Sequence, residues 1–199
     1  MARFEADPVQ GDAPADDPAA LAASWLPGPD EDPMRMVVAT IDADGFPRSR
    51  TLLLSEFDGE RFFFHTDARS RKVTDLRADP RVSLTVLWPD FSRQLVVQGT
   101  ALPASEEELS DAFRRRSPYL KQLAWQNTFE YARMPLATRE ATWAAFREEH
   151  PEPAQPAEWV GYGVRPHRLL FWVANPDAAS RRVEYVRTAS GWERRYLPG

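Results

Sequence analysis

The stretch from Met36 to Lys72 constrains the fold most strongly, because two Asp-Gly dipeptides divide it into three short apolar runs. The runs have the β-branched, aromatic and leucine-rich composition of strands, and they cover Met36–Ile41, Thr51–Leu54 and Phe62–Phe64. Asp-Gly favours tight hairpin turns, since glycine adopts a positive φ without strain. The pattern predicts an antiparallel meander.

Cationic and hydroxyl side chains collect at the polar ends of these predicted strands. Arg50 immediately precedes the second strand segment, while Thr66, Arg71 and Lys72 follow the third. Such groups are the donors that phosphate oxygens accept. Arg71 and Lys72 also begin a predicted short helix, Ser70–Asp79, where the helix dipole disfavours cations and favours a bound anion. The residues predict an anion site that suits phosphate; the alternative for each cation taken singly is a solvated surface residue.

The remaining periodicity predicts further strands and helices. The predicted strands are Val82–Trp88, Gln94–Ala101, Gly161–Val173, Arg182–Thr188 and Trp192–Leu197. The predicted helices are Asp16–Trp25, Ser105–Arg116, Tyr119–Tyr131 and Thr138–His150, the last with Ala141, Trp143 and Phe146 on one buried face. Asp17 is the predicted cap of the first helix, with Pro18 at its first position, and Ser105 and Glu108 match a capping box at the start of the second. This order predicts a mainly β fold with α-helices, in which an antiparallel barrel carries helices on its outside.

Composition limits the domain organisation and the classes of partner. Residues 1–33 contain eight acids and one base and are rich in proline and alanine, so we expect this segment to be partly disordered, with Met1–Gly11 disordered and residues 34–199 forming the folded domain. The absence of cysteine and the scattered positions of the three histidines argue against a metal site. The net charge of -5 without a basic block argues against nucleic acid. No apolar run has membrane-spanning length and no signal pattern is present, so we expect a cytoplasmic protein with no membrane partner.

A series of short motifs is spread from Asp32 to Gly199. The motifs are Asp32–Thr40, Arg50–Leu54, His65-Thr66, Ser70–Lys72, Pro80–Leu84, Arg93-Gln94, Phe171-Trp172 and the segment from Arg182 to Pro198. In order and spacing, this series resembles the pyridoxine/pyridoxamine 5′-phosphate oxidase family. The last of these motifs distinguishes the family from shorter flavin-binding split barrels. The resemblance implies an FMN-binding split β-barrel with flanking helices.

The resemblance also implies a homodimer, with an FMN site that both subunits build. The implied cofactor-binding residues are Arg50, Thr51, Leu52, Ser55, His65, Thr66, Arg71, Lys72, Gln94, Gln126, Trp172 and Arg182. In this assignment the cationic and hydroxyl groups described above bind the phosphate and ribityl chain, Gln94 binds the isoalloxazine ring, and Trp172 and Arg182 reach the flavin from the second subunit. Gln126 lies near the place of a family Gln-Ser pair that here reads Phe129-Glu130. Without the resemblance, His65 would be interpreted as a structural histidine and Trp172 as a core residue.

The substrate site departs from the family pattern. Ser55 replaces a lysine that usually contacts flavin and substrate, although phenazine-pathway members also carry serine there. The family's Arg-Leu-His motif aligns with 178–180, which reads Ala-Ala-Ser, and a tyrosine and a serine that bind substrate phosphate align with Ala112 and Leu120. The arginine between them is kept as Arg116. The implied substrate-binding residues are therefore Ser55, Arg116 and Ser180, and no catalytic residue is assigned.

Three functions fit this pattern. The first is an FMN-dependent oxidase that removes hydride from a C–N or C–H bond of a small amine or reduced heterocycle, such as one of phenazine type in secondary metabolism, and passes the electrons to molecular oxygen. The second is a genuine pyridoxine/pyridoxamine 5′-phosphate oxidase with a rearranged site. The third is a non-catalytic flavin-binding protein.

Overall fold

The computed structural model describes residues 9, 11, 14–28, 31–89 and 92–199. The helices in this part of the chain are α1 (Pro18–Trp25), α2 (Arg71–Ala78), α3 (Glu106–Arg114), α4 (Pro118–Gln126), α5 (Phe129–Arg133) and α6 (Leu136–Glu149). The strands are β1 (Met34–Ile41), β2 (Pro47–Leu54), β3 (Glu56–Phe57), β4 (Phe62–Asp67), β5 (Arg81–Leu87), β6 (Arg93–Pro103), β7 (Trp159–Val173), β8 (Arg181–Thr188) and β9 (Gly191–Pro198). The predicted mainly β fold with helices is confirmed.

The nine strands of the described chain form one sheet in the order β2-β1-β5-β6-β7-β4-β3, with β8 paired to β7 and β9 paired to β8. Antiparallel registers join β1 to β2 and β5, β5 to β6, β3 to β4, β7 to β8 and β8 to β9. Both predicted Asp-Gly turns form, with Gly45 at φ 83° and Gly59 at φ 96°. The two turns are therefore confirmed, but the predicted meander of three neighbouring strands is wrong. The first two segments pair as β1 and β2, whereas the third, β4, pairs with the two-residue strand β3 at the other end of the strand order, and β3 had no prediction.

Side chains alternate between the two faces of the sheet. On the inner face, Val38, Leu84, Val97 and Phe171 are at most 1% exposed. The outer face carries half-buried Val96, Leu170 and Trp172, together with Val37 and Leu87, which are 42% and 41% exposed. Period-two burial of this kind arises because successive strand residues point to opposite sides.

The chain divides into two compact units. The first, which we call the sheet unit, contains Met1–Phe64, Asp75–Leu102 and Gly163–Gly199. The second, which we call the helical unit, contains His65–Thr74 and Pro103–Tyr162. The sheet and its inner core belong mostly to the first unit, and helices α3 to α6 belong to the second.

The N-terminal segment packs within the sheet unit. Helix α1 begins as predicted, with the Asp17 carboxylate accepting from the amide of Ala19 at 2.9 Å and proline in the first turn. Trp25 meets Phe171 edge to face at a centroid distance of 5.1 Å. The Tyr185 hydroxyl donates to the Ala15 carbonyl at 2.5 Å. Most of the predicted disordered stretch Met1–Gly11 lies outside the described residues, so that expectation stays a prediction.

Two predictions about the helices of the helical unit are wrong. The predicted helix Tyr119–Tyr131 is two helices, because the Thr128 side chain accepts from the amide of Tyr131 and starts a new helix there. The predicted buried face of α6 is wrong: Ala141 is exposed, and Trp143 and Phe146 are only half-buried. Two residues advance a helix by about 200°, so Ala141 and Trp143 cannot share a face. The predicted capping box of Ser105 and Glu108 is present at α3.

Candidate functional site

Arg50 projects from β2 into a polar cluster within the sheet unit. Its Nη1 donates to the Thr40 hydroxyl at 2.8 Å and to the Val38 carbonyl at 3.2 Å, and its Nη2 lies 3.6 Å from the Asp75 carboxylate. The Thr40 hydroxyl in turn donates to Asp75 at 2.7 Å. Arg48 bridges Asp42 at 2.9 Å and Asp75 at 3.4 Å. Burial lowers the pKa of Arg50, and the Asp75 carboxylate opposes that shift.

The sequence-predicted donors Thr66 and Lys72 come together in the helical unit. The Lys72 ammonium donates to the Thr66 hydroxyl at 2.9 Å, and the hydroxyls of Thr66 and Ser70 lie 3.4 Å apart. Arg71 is exposed at the first residue of α2, whose first turn contains no acid. Hydroxyl and ammonium donors beside a helix start without acids are the chemistry that a phosphate requires. These residues therefore fit a phosphate group.

His65 is a packed, uncharged ring within the helical unit. It stacks on Trp159 at a centroid distance of 4.5 Å and an interplanar angle of 8°. A Cβ added to Gly161 would lie 2.7 Å from the His65 ring, so glycine is needed for this packing. Burial, and then the charges of Arg116 and Arg115, lower the pKa of His65 to about 3. A direct role in proton transfer near neutral pH is therefore not supported.

Arg116 lies over the indole of Trp159, with its guanidinium carbon 4.8 Å from the ring centroid. Burial lowers its pKa to about 10, so the side chain is still cationic at neutral pH. Cation–π contact holds the group in place without neutralising its charge. Arg116 is thus a partly desolvated cation that suits an anionic or electron-rich ligand.

Gln94 and Arg182 line a common cleft of about 250 Å³ on the outer face of the sheet unit. Trp172 pairs with Arg182 in the β7–β8 register and lies on the same outer face. The cleft also contains an ion pair between Arg168 and the buried carboxylate of Glu184, with N···O 3.2 Å. Because Gln94 and Arg182 share one cleft in one chain, a ligand that meets one of them there can meet the other.

The other predicted site residues have varied surroundings. Thr51 is exposed, Leu52 is half-buried, and the Ser55 amide donates to the Phe63 carbonyl at 2.8 Å. Gln126 is 7% exposed, and its amide is engaged at both ends. It accepts from Gln122 at 2.8 Å and donates to the Thr142 carbonyl at 3.1 Å. Gln126 thus has a structural role within the helical unit, and its predicted flavin contact stays a prediction.

Ser180, the remaining residue with a predicted substrate contact, is half-buried just before β8, and Ala178, two residues earlier, is exposed.

None of the helices in the described part of the chain has the length and apolar character that a membrane span needs.

Several residues of these clusters had no prediction, among them Thr40, Asp75, Trp159 and Glu184. Thr40 carried a signal, because it is a polar residue that follows Met36 and Val38 on the otherwise apolar inner face of β1. Asp75 is buried in α2, but the residues at helical spacing from it include Arg71, Lys72 and Asp79, so its sequence surroundings gave no such signal. Trp159 and Glu184 carried no signal either, since their partners are distant in the sequence.

Comparisons with known proteins agree with the motifs. The family model described as pyridoxamine 5′-phosphate oxidase matches residues 31–150. The pyridoxine/pyridoxamine 5′-phosphate oxidase of Rubrobacter xylanophilus is 40% identical over 167 residues, which cover 82% of this chain and 76% of the relative. The enzyme of the same name from Caulobacter vibrioides is 34% identical over 191 residues, covering 92% and 85%.

Two solved structures share the fold. PhzG from Burkholderia lata, in complex with tetrahydrophenazine-1-carboxylic acid, superposes with a TM-score of 0.79 at 25% identity and covers 94% of this chain and 95% of that one. A pyridoxamine 5′-phosphate oxidase-related, FMN-binding protein from Nostoc punctiforme gives a TM-score of 0.65 at 18% identity, covering 83% and 87%. The antiparallel split-barrel fold that the sequence predicted is therefore confirmed.

Proposed function

The chain belongs to the pyridoxamine 5′-phosphate oxidase family of flavin-binding oxidoreductases, and we propose that it is an FMN-dependent oxidase of a small amine or reduced heterocycle. The observation that carries the cofactor proposal is the cluster of Lys72, Thr66 and Ser70 at the start of α2. Its donors match a phosphate in number and charge. When bound, FMN would supply hydride acceptance from substrate and electron transfer to oxygen.

The residues of this chain would bind and orient the cofactor. In the helical unit, we propose Lys72 and Thr66 as phosphate ligands, with Arg71 adding positive charge. In the sheet unit, we propose Arg50 as a phosphate ligand and Gln94 as the hydrogen-bond partner of the flavin ring. Trp172 and Arg182 would reach the flavin from the second subunit, where the Arg182 cation would favour negative charge on a reduced ring electrostatically.

The substrate site supports a ligand other than a vitamin B6 phosphate. The polar residues that the family uses for that substrate are replaced by Ser55, Ala112, Leu120 and the 178–180 segment. Arg116 remains, stacked on Trp159. Smaller and less polar replacements favour a flat ring system with few charged groups. The similarity to PhzG, whose structure contains tetrahydrophenazine-1-carboxylic acid, supports a reduced aromatic substrate of phenazine type.

A genuine pyridoxine/pyridoxamine 5′-phosphate oxidase is the second candidate. The relatives of that name at 40% and 34% identity favour it, as does the retained Arg116. Under this alternative Arg114, Arg115 and Arg181 would have to supply the missing cations. Arg114 and Arg115 are exposed at the end of α3.

We also propose that the protein is a homodimer. The outer face of the sheet unit carries the apolar side chains of Val37, Leu87, Val96 and Leu170 beside Trp172. A second copy placed on this face would remove apolar surface from water. The cytoplasmic location stays a prediction from the sequence.

Parallel turnover assays test the proposed function. FMN-loaded protein is incubated in air with pyridoxine 5′-phosphate and, separately, with a reduced phenazine carboxylic acid, and peroxide and oxidised product are measured. We expect oxidation of the tricyclic acid and little pyridoxal 5′-phosphate, since each lost contact to a charged group costs about 1.5–3 kcal/mol. Turnover of pyridoxine 5′-phosphate at about 1 s⁻¹ or above would establish the second candidate instead.

A further inference from the structure

The Arg50 guanidinium is fixed along one side by three inner-face partners in the sheet unit. Nη1 donates both of its hydrogens, to Val38 and Thr40, and Nη2 lies beside Asp75. Among the described residues, Arg50 makes no further hydrogen bond. The edge formed by Nε and the second Nη2 hydrogen is therefore still available, and that edge suits two oxygens of a phosphate.

Asp75 is 4% exposed and would be costly to bury without partners. Its carboxylate accepts from the Thr40 hydroxyl at 2.7 Å and lies 3.4 Å from Arg48 and 3.6 Å from Arg50. Thr40, which is fully buried, connects the two charges because its hydroxyl donates to Asp75 and accepts from Arg50. The cluster therefore holds the Arg50 guanidinium in one orientation, whereas a cation on the open surface would move freely.

We propose that Thr40 and Asp75 are positioning residues that orient Arg50 toward the FMN phosphate. This inference rests on the proposed function, since it requires that FMN binds and that Arg50 contacts its phosphate. Neither residue would touch the cofactor. They act by pre-organising the cation, so that less side-chain freedom is lost when the phosphate binds.

The experiment compares FMN with riboflavin, which has the same ring system and no phosphate. The variants are Thr40→Val, which removes the linking hydroxyl without changing charge, Asp75→Asn, and Thr40→Ser, which keeps the hydroxyl. We expect Thr40→Val and Asp75→Asn to raise the Kd for FMN by about 10-fold and to change the Kd for riboflavin by less than about twofold. Thr40→Ser should bind FMN as the parent protein does.

A matched control is Thr100→Val, another strand threonine of the sheet unit, whose hydroxyl lies 2.8 Å from the His167 ring. It should leave both dissociation constants unchanged. Thermal unfolding of each variant without flavin shows whether the fold persists. If Asp75→Asn does not fold, the comparison of Thr40→Val with Thr40→Ser still decides.

A double-mutant cycle with Arg50→Ala separates positioning from a general structural effect. If Thr40 acts through Arg50, Thr40→Val should cause no further loss of FMN affinity in the Arg50→Ala background. Equal losses in both backgrounds, equal losses for FMN and riboflavin, or unchanged FMN affinity in Thr40→Val would each overturn the inference and leave the proposed function standing. Failure of the parent protein to bind FMN would refute the proposed function itself, and the inference with it.

Discussion

Removal of the Lys72 ammonium should weaken FMN binding by a predictable amount. Lys72→Met keeps most of the aliphatic stem and removes the donor that lies 2.9 Å from the Thr66 hydroxyl. A hydrogen bond between an ammonium and a phosphate contributes about 1.5–3 kcal/mol, which corresponds to a Kd increase of roughly 10- to 150-fold. Because Arg71 is exposed, its contribution should fall at the lower end of this range.

The double variant Arg71→Ala/Lys72→Ala should therefore lose about two decades or more of FMN affinity. The assay is a titration of flavin fluorescence at fixed ionic strength, repeated at higher salt, where the difference between parent and variant should shrink. Lys121→Met is the matched control, since Lys121 is the other lysine of the chain and pairs with Glu152 at 3.3 Å within the same unit. Parent-like FMN affinity in the double variant would refute the phosphate assignment.

Three further predictions concern the oligomeric state, the pH dependence of stability and the cap of α3. Light scattering of the FMN-loaded protein at micromolar concentration should give the mass of a dimer, and a monomeric mass would remove the proposed role of Trp172 in a partner's site. Because the pKa of His65 is lowered to about 3, below its unfolded value near 6.5, the unfolded chain takes up the proton first and stability should fall as pH drops below about 6.5. Denaturant unfolding should show that His65→Phe lacks this dependence, with a difference of up to about 2 kcal/mol at pH 5; identical pH profiles would contradict the low pKa. Ser105→Ala removes half of the α3 capping box and should cost about 1 kcal/mol in the same assay, whereas a loss below about 0.3 kcal/mol would show that the cap contributes little.

The parts of the fold that local chemistry determines could be predicted from the sequence. The Asp-Gly turns at Gly45 and Gly59, the Asp17 cap of α1 and the capping box of α3 all depend on residues within a few positions of one another. The wrong prediction of one continuous helix over 119–131 also concerned residues that are close in the sequence. Thr128 carried a cap signal that the prediction of one continuous helix passed over.

The site could be predicted only in part, because its contacts join distant segments. The motifs identified Arg50 and Lys72, yet the partners of Arg50 lie 10 and 25 residues away on β1 and α2. The stacking of His65 on Trp159 spans 94 residues, and no periodicity encodes it. Resemblance to a family supplies the identity of such residues, whereas the geometry that orients them requires the three-dimensional structure.

The docking of the N-terminal segment on the C-terminal strands has a kinetic consequence. The hydrogen bond from Tyr185 to Ala15 and the ion pair of Arg194 with Asp16, at 3.0 Å, close loops that contain most of the chain. The entropy of such a closure must be overcome before these contacts stabilise anything, so they should form late in folding. Weakening them should then accelerate unfolding while leaving the folding rate nearly unchanged. The contacts between the N-terminal segment and the C-terminal strands would thus set how slowly the folded chain unfolds.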